Sequence, residues 1–272
     1  MQALRLTAEW PVPTVAAATV AADGTVRTSG PAHHRFRIAS ISKMLVGWTV
    51  LVACEEGTLD LDQPAGQPGC TIRHLLAHAG GYAFDGADPI AKPGQRRIYS
   101  NTGIELAADA LATAAGMPFA EYLQEAVLEP LGMSSTVLKG SPAYAVHSTV
   151  TDLVRFIEEL RAPRLISAES ATAFSTVQFP GLQGVVPGVG RFDDCPWGLG
   201  AEIRGTKQPH WTGSRNSPAT FGHFGGAGTL LWVDPGVHVA CVALTDRPFD
   251  EWATEALRLW PAFSDAVLAE AG

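Results

Sequence analysis

Lysine and asparagine are scarce in this chain. Its 272 residues hold four lysines (Lys43, Lys92, Lys139, Lys207) and two asparagines (Asn101, Asn216). Acidic side chains number 27 against 19 basic ones, a formal charge of −8. That balance, with no lysine/arginine cluster, argues against a nucleic-acid partner. Long apolar runs are missing too. The longest, Met44 to Cys54, contains Gly47 and Thr49. It is too short to span a bilayer and reads as a buried helix, so no membrane partner is expected. The four cysteines, Cys54, Cys70, Cys195 and Cys241, are scattered without metal-type spacing. They read as small buried residues in a reducing compartment. Residues 1–10 lack the basic start, apolar core and cleavage site of a signal peptide, so a cytoplasmic location is expected. There is no His-Glu-x-x-His and no Gly-x-Ser-x-Gly. No metal or other cofactor is therefore expected, and an α/β-hydrolase is disfavoured.

Against that scarcity, Ser40-Ile41-Ser42-Lys43 stands out. On a helix, i and i+3 share a face, so Ser40 and Lys43 point into the same space and Ser42 points elsewhere. A serine hydroxyl is a poor nucleophile until its proton is taken, and a desolvated amine beside it can help take it. With so few lysines, chance supplies about 0.2 such pairs in a chain of this composition. Tyr99-Ser100-Asn101 is rarer still, with about 0.03 expected by accident. A phenol near an ammonium should ionise more easily, and a phenolate near a serine is a competent base. Asn101 can accept from Lys43 and donate its amide to a substrate carbonyl. The third stretch, His223-Phe224-Gly225-Gly226, lies in a glycine-rich segment leading into an apolar strand. Glycines allow close approach to backbone, and a strand edge offers the N–H groups an oxyanion hole requires. His78-Ala79-Gly80 matches the same pattern but reads as the end of a short helix.

The remaining pattern is α+β. Thr14–Val20 and Thr25–Ser29 flank an Asp23-Gly24 hairpin signal, and Arg35–Ile38 could extend that sheet. Helices are expected at 40–56 (ended by Gly57), 71–78, 101–115 (stopped by Gly116), 118–128, 151–160 (capped by Thr151) and 168–175. Strands follow at 198–203, 221–224, 229–233 and 237–244, then helices at 251–260 and 262–268, interrupted by Pro261. Strands at both ends and helices between them imply one sheet built from both termini with an inserted helical lobe. The expected division is 1–56 with 196–272 as sheet lobe and 57–195 as helical lobe.

In this order, Ser-x-x-Lys, Tyr-x-Asn and His-x-Gly resemble the serine β-lactamase and penicillin-binding protein superfamily. Tyr-x-Asn, and histidine in the third motif, are most similar to the class C branch and its family VIII-type carboxylesterase relatives. Residues 34–39, 71–78, 148–153 and 228–235 are similar to that branch as well. The resemblance implies an antiparallel sheet flanked by helices, with the site at the seam between the lobes. It implies Ser40, Lys43 and Tyr99 as catalytic residues and the Gly226 N–H as the second oxyanion donor beside that of Ser40. Asn101, His223, Phe224 and Gly225 would bind substrate, with His223 only partly charged near pH 7. The expected activity is hydrolysis of a small-molecule ester or amide through an acyl-enzyme. A β-lactamase or D-alanyl-D-alanine carboxypeptidase is the alternative, and a non-catalytic scaffold the third reading. The oligomeric state is left open.

Overall fold

The computed structural model describes residues 2–271. Among the described residues eleven strands are present: β1 (Val15–Val20), β2 (Val26–Ser29), β3 (Phe36–Arg37), β4 (Val137–Leu138), β5 (Val146–Ser148), β6 (Gly184–Val186), β7 (Gly190–Phe192), β8 (Glu202–Ile203), β9 (Phe221–Gly225), β10 (Thr229–Asp234) and β11 (Val239–Thr245). The α-helices are α1 (Ser42–Glu55), α2 (Ile72–Leu76), α3 (Asn101–Ala115), α4 (Phe119–Leu123), α5 (Val150–Arg161), α6 (Ala168–Ser175) and α7 (Ala253–Ala271). The main sheet is antiparallel and six-stranded, in the order β2-β1-β11-β10-β9-β8. The two ends of the chain thus meet in one sheet, the α+β arrangement expected from the sequence pattern.

Both faces of this sheet are covered, and its alternation shows it. Leu231 and Val233 of β10 join one apolar cluster, with Val242 and Leu244 of β11 and much of α1 and α5. Leu230 and Trp232 join the other, with Cys241, Ala243 and Trp260, Phe263 and Val267 of α7. Burial on both faces is why β10 and β11 read as continuous apolar runs. α1 is buried all round from Ser42 to Ala53, a helix enclosed by protein rather than laid on a surface.

Four local expectations are corrected. Phe36–Arg37 does not extend the main sheet but pairs with β5, which in turn pairs with β4. The α5 cap is Thr149, whose hydroxyl accepts from the Asp152 N–H, not Thr151. Of the expected strand at 198–203, only Glu202–Ile203 is strand. Pro261 does not divide the last helix, because Ala256, Trp260, Phe263 and Val267 hold α7 on the sheet across the missing N–H.

Candidate active site

Ser40 lies in a 3-10 turn, Ala39–Ile41, that runs directly into α1. Ala39 sits at φ 47°, in the left-handed region that an alanine adopts only at a cost. The turn is held there by the end of β9. The Thr229 hydroxyl donates to the Ile38 carbonyl at 3.0 Å. A Cβ on Gly225 would come within 2.5 Å of the same carbonyl oxygen and 3.1 Å of the Ala39 Cβ. Gly225 is therefore a packing residue. It is buried against the Ser40 turn and does not line the cavity, which corrects its expected role in binding substrate.

Lys43 is fully buried one turn further on. Its Nζ lies 3.1 Å from Ser40 Oγ, 2.8 Å from Asn101 Oδ1 and 2.9 Å from the Ala143 carbonyl oxygen. It also stands 4.8 Å from the centre of the Tyr99 ring. Burial pushes its pKa down to about 7, against the upward pull of Glu105 and then Asp85. Asn101 begins α3, whose N-terminus is capped by the Ser100 hydroxyl. Its amide donates to Asp85 Oδ1 at 3.1 Å. Asn101 thus positions Lys43 through its oxygen, and one of its two amide N–H bonds goes to Asp85.

Tyr99 departs from its expected chemistry. Burial drives its pKa well above the usual phenol range, although a hydrogen bond with Ser40 opposes this and Glu202 adds to it. The phenol is protonated at neutral pH, and the expected phenolate does not form. His223 departs in the same way. Burial, and then the Lys43 charge, push its pKa down to about 3. Its Nδ1 is 2.6 Å from the Phe224 carbonyl oxygen and must carry the proton. Nε2 then presents a lone pair to the Tyr99 hydroxyl at 3.4 Å. The partial positive charge expected of His223 is absent.

These groups open onto a cavity of about 400 Å³ lined by Ser40, Tyr99, His223, Phe224 and Gly226, with Phe84, Val186, Pro187, Trp197 and Phe249. The lining contains no lysine or arginine. Phe224 packs 5.1 Å from Phe249 and 5.9 Å from Trp260, forming an aromatic wall. Gly226 follows β9, and the space where its Cβ would stand is empty. A larger cavity, about 650 Å³ beside α5 and α6, contains none of these residues.

Sequence reading missed Asp85 and the Ala143 carbonyl, which come from segments without a motif, and Glu105, one turn along α3 from Asn101. It also missed Glu202, which lines the cavity. Burial opposes the ionisation of Glu202, but Lys207 at 3.0 Å and His210 at 3.1 Å outweigh it and hold the carboxyl well below the usual range. His78 was set aside as a helix end. It is fully buried at 4.5 Å from the Tyr99 ring, and its Nδ1 accepts from the Ser100 N–H. Among the described residues no group of three or more His, Cys, Asp or Glu is arranged to hold a metal, and no helix is long and apolar enough to cross a membrane.

The family model described as Beta-lactamase matches residues 10–260. A solved beta-lactamase from Mycobacterium bovis is 49% identical, with 99% of each chain covered and a TM-score of 0.96. The hydrolase EstCE1, described as having promiscuous acyltransferase activity, shares the fold at 18% identity, over 98% of this chain and 96% of that one, with a TM-score of 0.77. Among curated proteins, the D-alanyl-D-alanine-carboxypeptidase/endopeptidase AmpH of Escherichia coli K12 is 29% identical over 143 residues. That match covers 39% of this chain and only 37% of the relative's length.

Proposed function

The chain belongs to the beta-lactamase family, and on that footing we propose that it is a serine hydrolase that cleaves carboxylic esters with no charge beside the scissile bond, through an acyl-enzyme on Ser40. One observation carries this reading: how the Lys43 amine is surrounded. A neutral amine has two N–H bonds and one lone pair. Two of its three neighbours, the Asn101 Oδ1 and the Ala143 carbonyl oxygen, can only accept. Both N–H bonds go to them, and the lone pair is left facing the Ser40 hydroxyl. With a pKa brought to about 7, the amine is unprotonated in a useful fraction at neutral pH and takes the Ser40 proton.

Ser40 Oγ then bonds to the acyl carbon while its own N–H and that of Gly226 take the oxyanion. As the ester C–O bond breaks, the leaving oxygen takes a proton through the Tyr99 phenol, which is re-supplied from Lys43. Water reverses the sequence and releases the acid. Proton bookkeeping therefore assigns the base to Lys43 and the acid to Tyr99.

The cavity favours esters over substrates with a carboxylate beside the scissile bond. His223 is neutral, the lining holds no cation, and Glu202 and Asp250 are its charged members. A β-lactam or a peptide C-terminus carries its carboxylate right beside the scissile bond, where the cavity that holds Ser40 offers no cation. The carboxypeptidase activity named for AmpH ranks second for that reason. A scaffold has no use for an amine desolvated against a hydroxyl and ranks third. The test is hydrolysis of 4-nitrophenyl esters of graded acyl length against nitrocefin, together with a fluorophosphonate label. Esters should be cleaved and Ser40 labelled, with both lost in Ser40→Ala. Fast nitrocefin turnover with negligible ester cleavage would reverse the ranking.

A further inference from the structure

A second cavity, about 360 Å³, adjoins the first and shares Phe84, Tyr99 and Pro187 with it. It lies between the segment 83–98 and the β6–β7 hairpin. Its charge is opposite to that of the first. Arg96, Arg97 and Arg191 line it with no acidic residue, in a chain of net charge −8. Arg97 is spent on structure: its guanidinium donates to the carbonyls of Ala77, Gln178, Phe179 and Cys195. Its backbone N–H donates to the Gln183 carbonyl at 2.8 Å, tying the two walls together. Arg96 and Arg191 are exposed and have no hydrogen-bond or ion-pair partner among the described residues. The rim is apolar. Phe84, Ile90 and Val185, which are 49%, 56% and 43% exposed, are three of the six large apolar side chains left exposed among the described residues.

We propose that this cavity is the leaving-group subsite, and that the leaving group is an amphiphile: an apolar chain ending in a carboxylate or phosphate that Arg96 and Arg191 bind. The assignment rests on the ester-hydrolase reading above. Tyr99 lines both cavities; it gives its proton to the leaving oxygen beside Ser40, and the rest of the leaving group runs on past the shared wall of Phe84, Tyr99 and Pro187 into the second cavity. The cavity that holds Ser40 and Gly226 is apolar and without cations, so it takes the uncharged acyl group. The exposed apolar rim covers a chain, and the two unpaired guanidiniums meet an anion at its end. Opposite polarity in the two cavities fixes the direction in which a substrate lies.

Binding can be tested apart from turnover in the full-length Ser40→Ala protein by calorimetry with decyl phosphate, decanoate and decanol at low salt. The two anions should bind at least about tenfold more tightly than decanol, and the margin should shrink with added salt. Arg96→Gln combined with Arg191→Gln should bring all three ligands to within about threefold, while Arg96→Lys combined with Arg191→Lys should keep most of the margin. A preference between decyl phosphate and decanoate names which anion the natural leaving group carries. Decanol binding as tightly as the anions, or a margin that survives the glutamine pair with an unchanged melting temperature, overturns the proposal. Anion binding in a protein that cleaves no ester would sink the hydrolase reading and leave the anion subsite standing.

Discussion

A buried lysine is tolerated only if its charge is paired or lost, and Lys43 takes the second course. Its contacts are neutral oxygens, and the two carboxylates that act on it, Glu105 and Asp85, only soften the effect of burial. Function follows from that placement. An arginine stays charged at any accessible pH, so Lys43→Arg should lower kcat/KM by about 10³-fold, read with the best 4-nitrophenyl ester. In the native protein kcat/KM should fall as pH drops through about 7, where the amine is protonated. Glu105 raises the Lys43 pKa, and it also accepts from the Ser141 hydroxyl, a role glutamine can keep. Glu105→Gln should therefore move that limb to lower pH. An unmoved limb, or one displaced upward, would remove Lys43 as the group being titrated.

The elements matter here through one close approach, that of β9 to the turn carrying Ser40. Gly225→Ala should force the two apart, costing about 1–3 kcal/mol of stability. It should also lower activity by much more than the population of unfolded protein explains, because Ser40 moves. Thr149→Ala at the start of α5 is the control: about 1 kcal/mol lost with the cap, measured by denaturant titration, and little change in kcat/KM. The same contrast shows what the sequence could reveal. Ser40, Lys43 and Tyr99 were legible as candidates because scarce lysine, tyrosine and asparagine stood at spacings that chemistry requires, and His223 only through the glycine-rich strand around it. β10, β11 and α1 were legible because burial leaves continuous apolar runs. The protonation states were not, since burial, which only the folded molecule defines, reversed the expected ionisation of Tyr99 and removed the charge of His223. Asp85 and Ala143 were illegible because they reach Asn101 and Lys43 from segments with no periodicity. Pro261 misled for the complementary reason. Local preference ends a helix there, but packing against the sheet carries it through.

At the scale of the whole molecule, the groups buried to build the site give stability a lopsided pH dependence. His78 and His223 are both fully buried with pKa values pushed far down, chiefly by burial. Unfolded, each takes a proton near pH 6.5, so the stability gained by keeping them neutral is complete above that pH and is lost as pH falls below it. These two protons give a slope of about 2.7 kcal/mol per pH unit, and His74 and His210, also shifted down chiefly by burial, add to it. Glu202, whose folded pKa lies well below normal, adds its loss only below about pH 4.5, so the interval from 6.5 to 4.5 belongs to histidines. Lys43 acts on the other side. Between about 7 and 10.5 the unfolded chain holds a proton that the folded protein has released, so stability continues to rise with pH there. Above about pH 8.5 the thiols reverse it. Cys54, Cys70 and Cys195 are raised to about 11 and Cys241 further, all chiefly by burial, so unfolding lets them ionise. Urea midpoints measured from pH 4.5 to 10 should therefore peak near pH 8, well above the sequence pI of about 5.4, and fall on both sides of it. A profile flat between 6.5 and 4.5 would mean that His78 and His223 are not held neutral. The wall behind Tyr99 would then have to be redrawn with a charge in it.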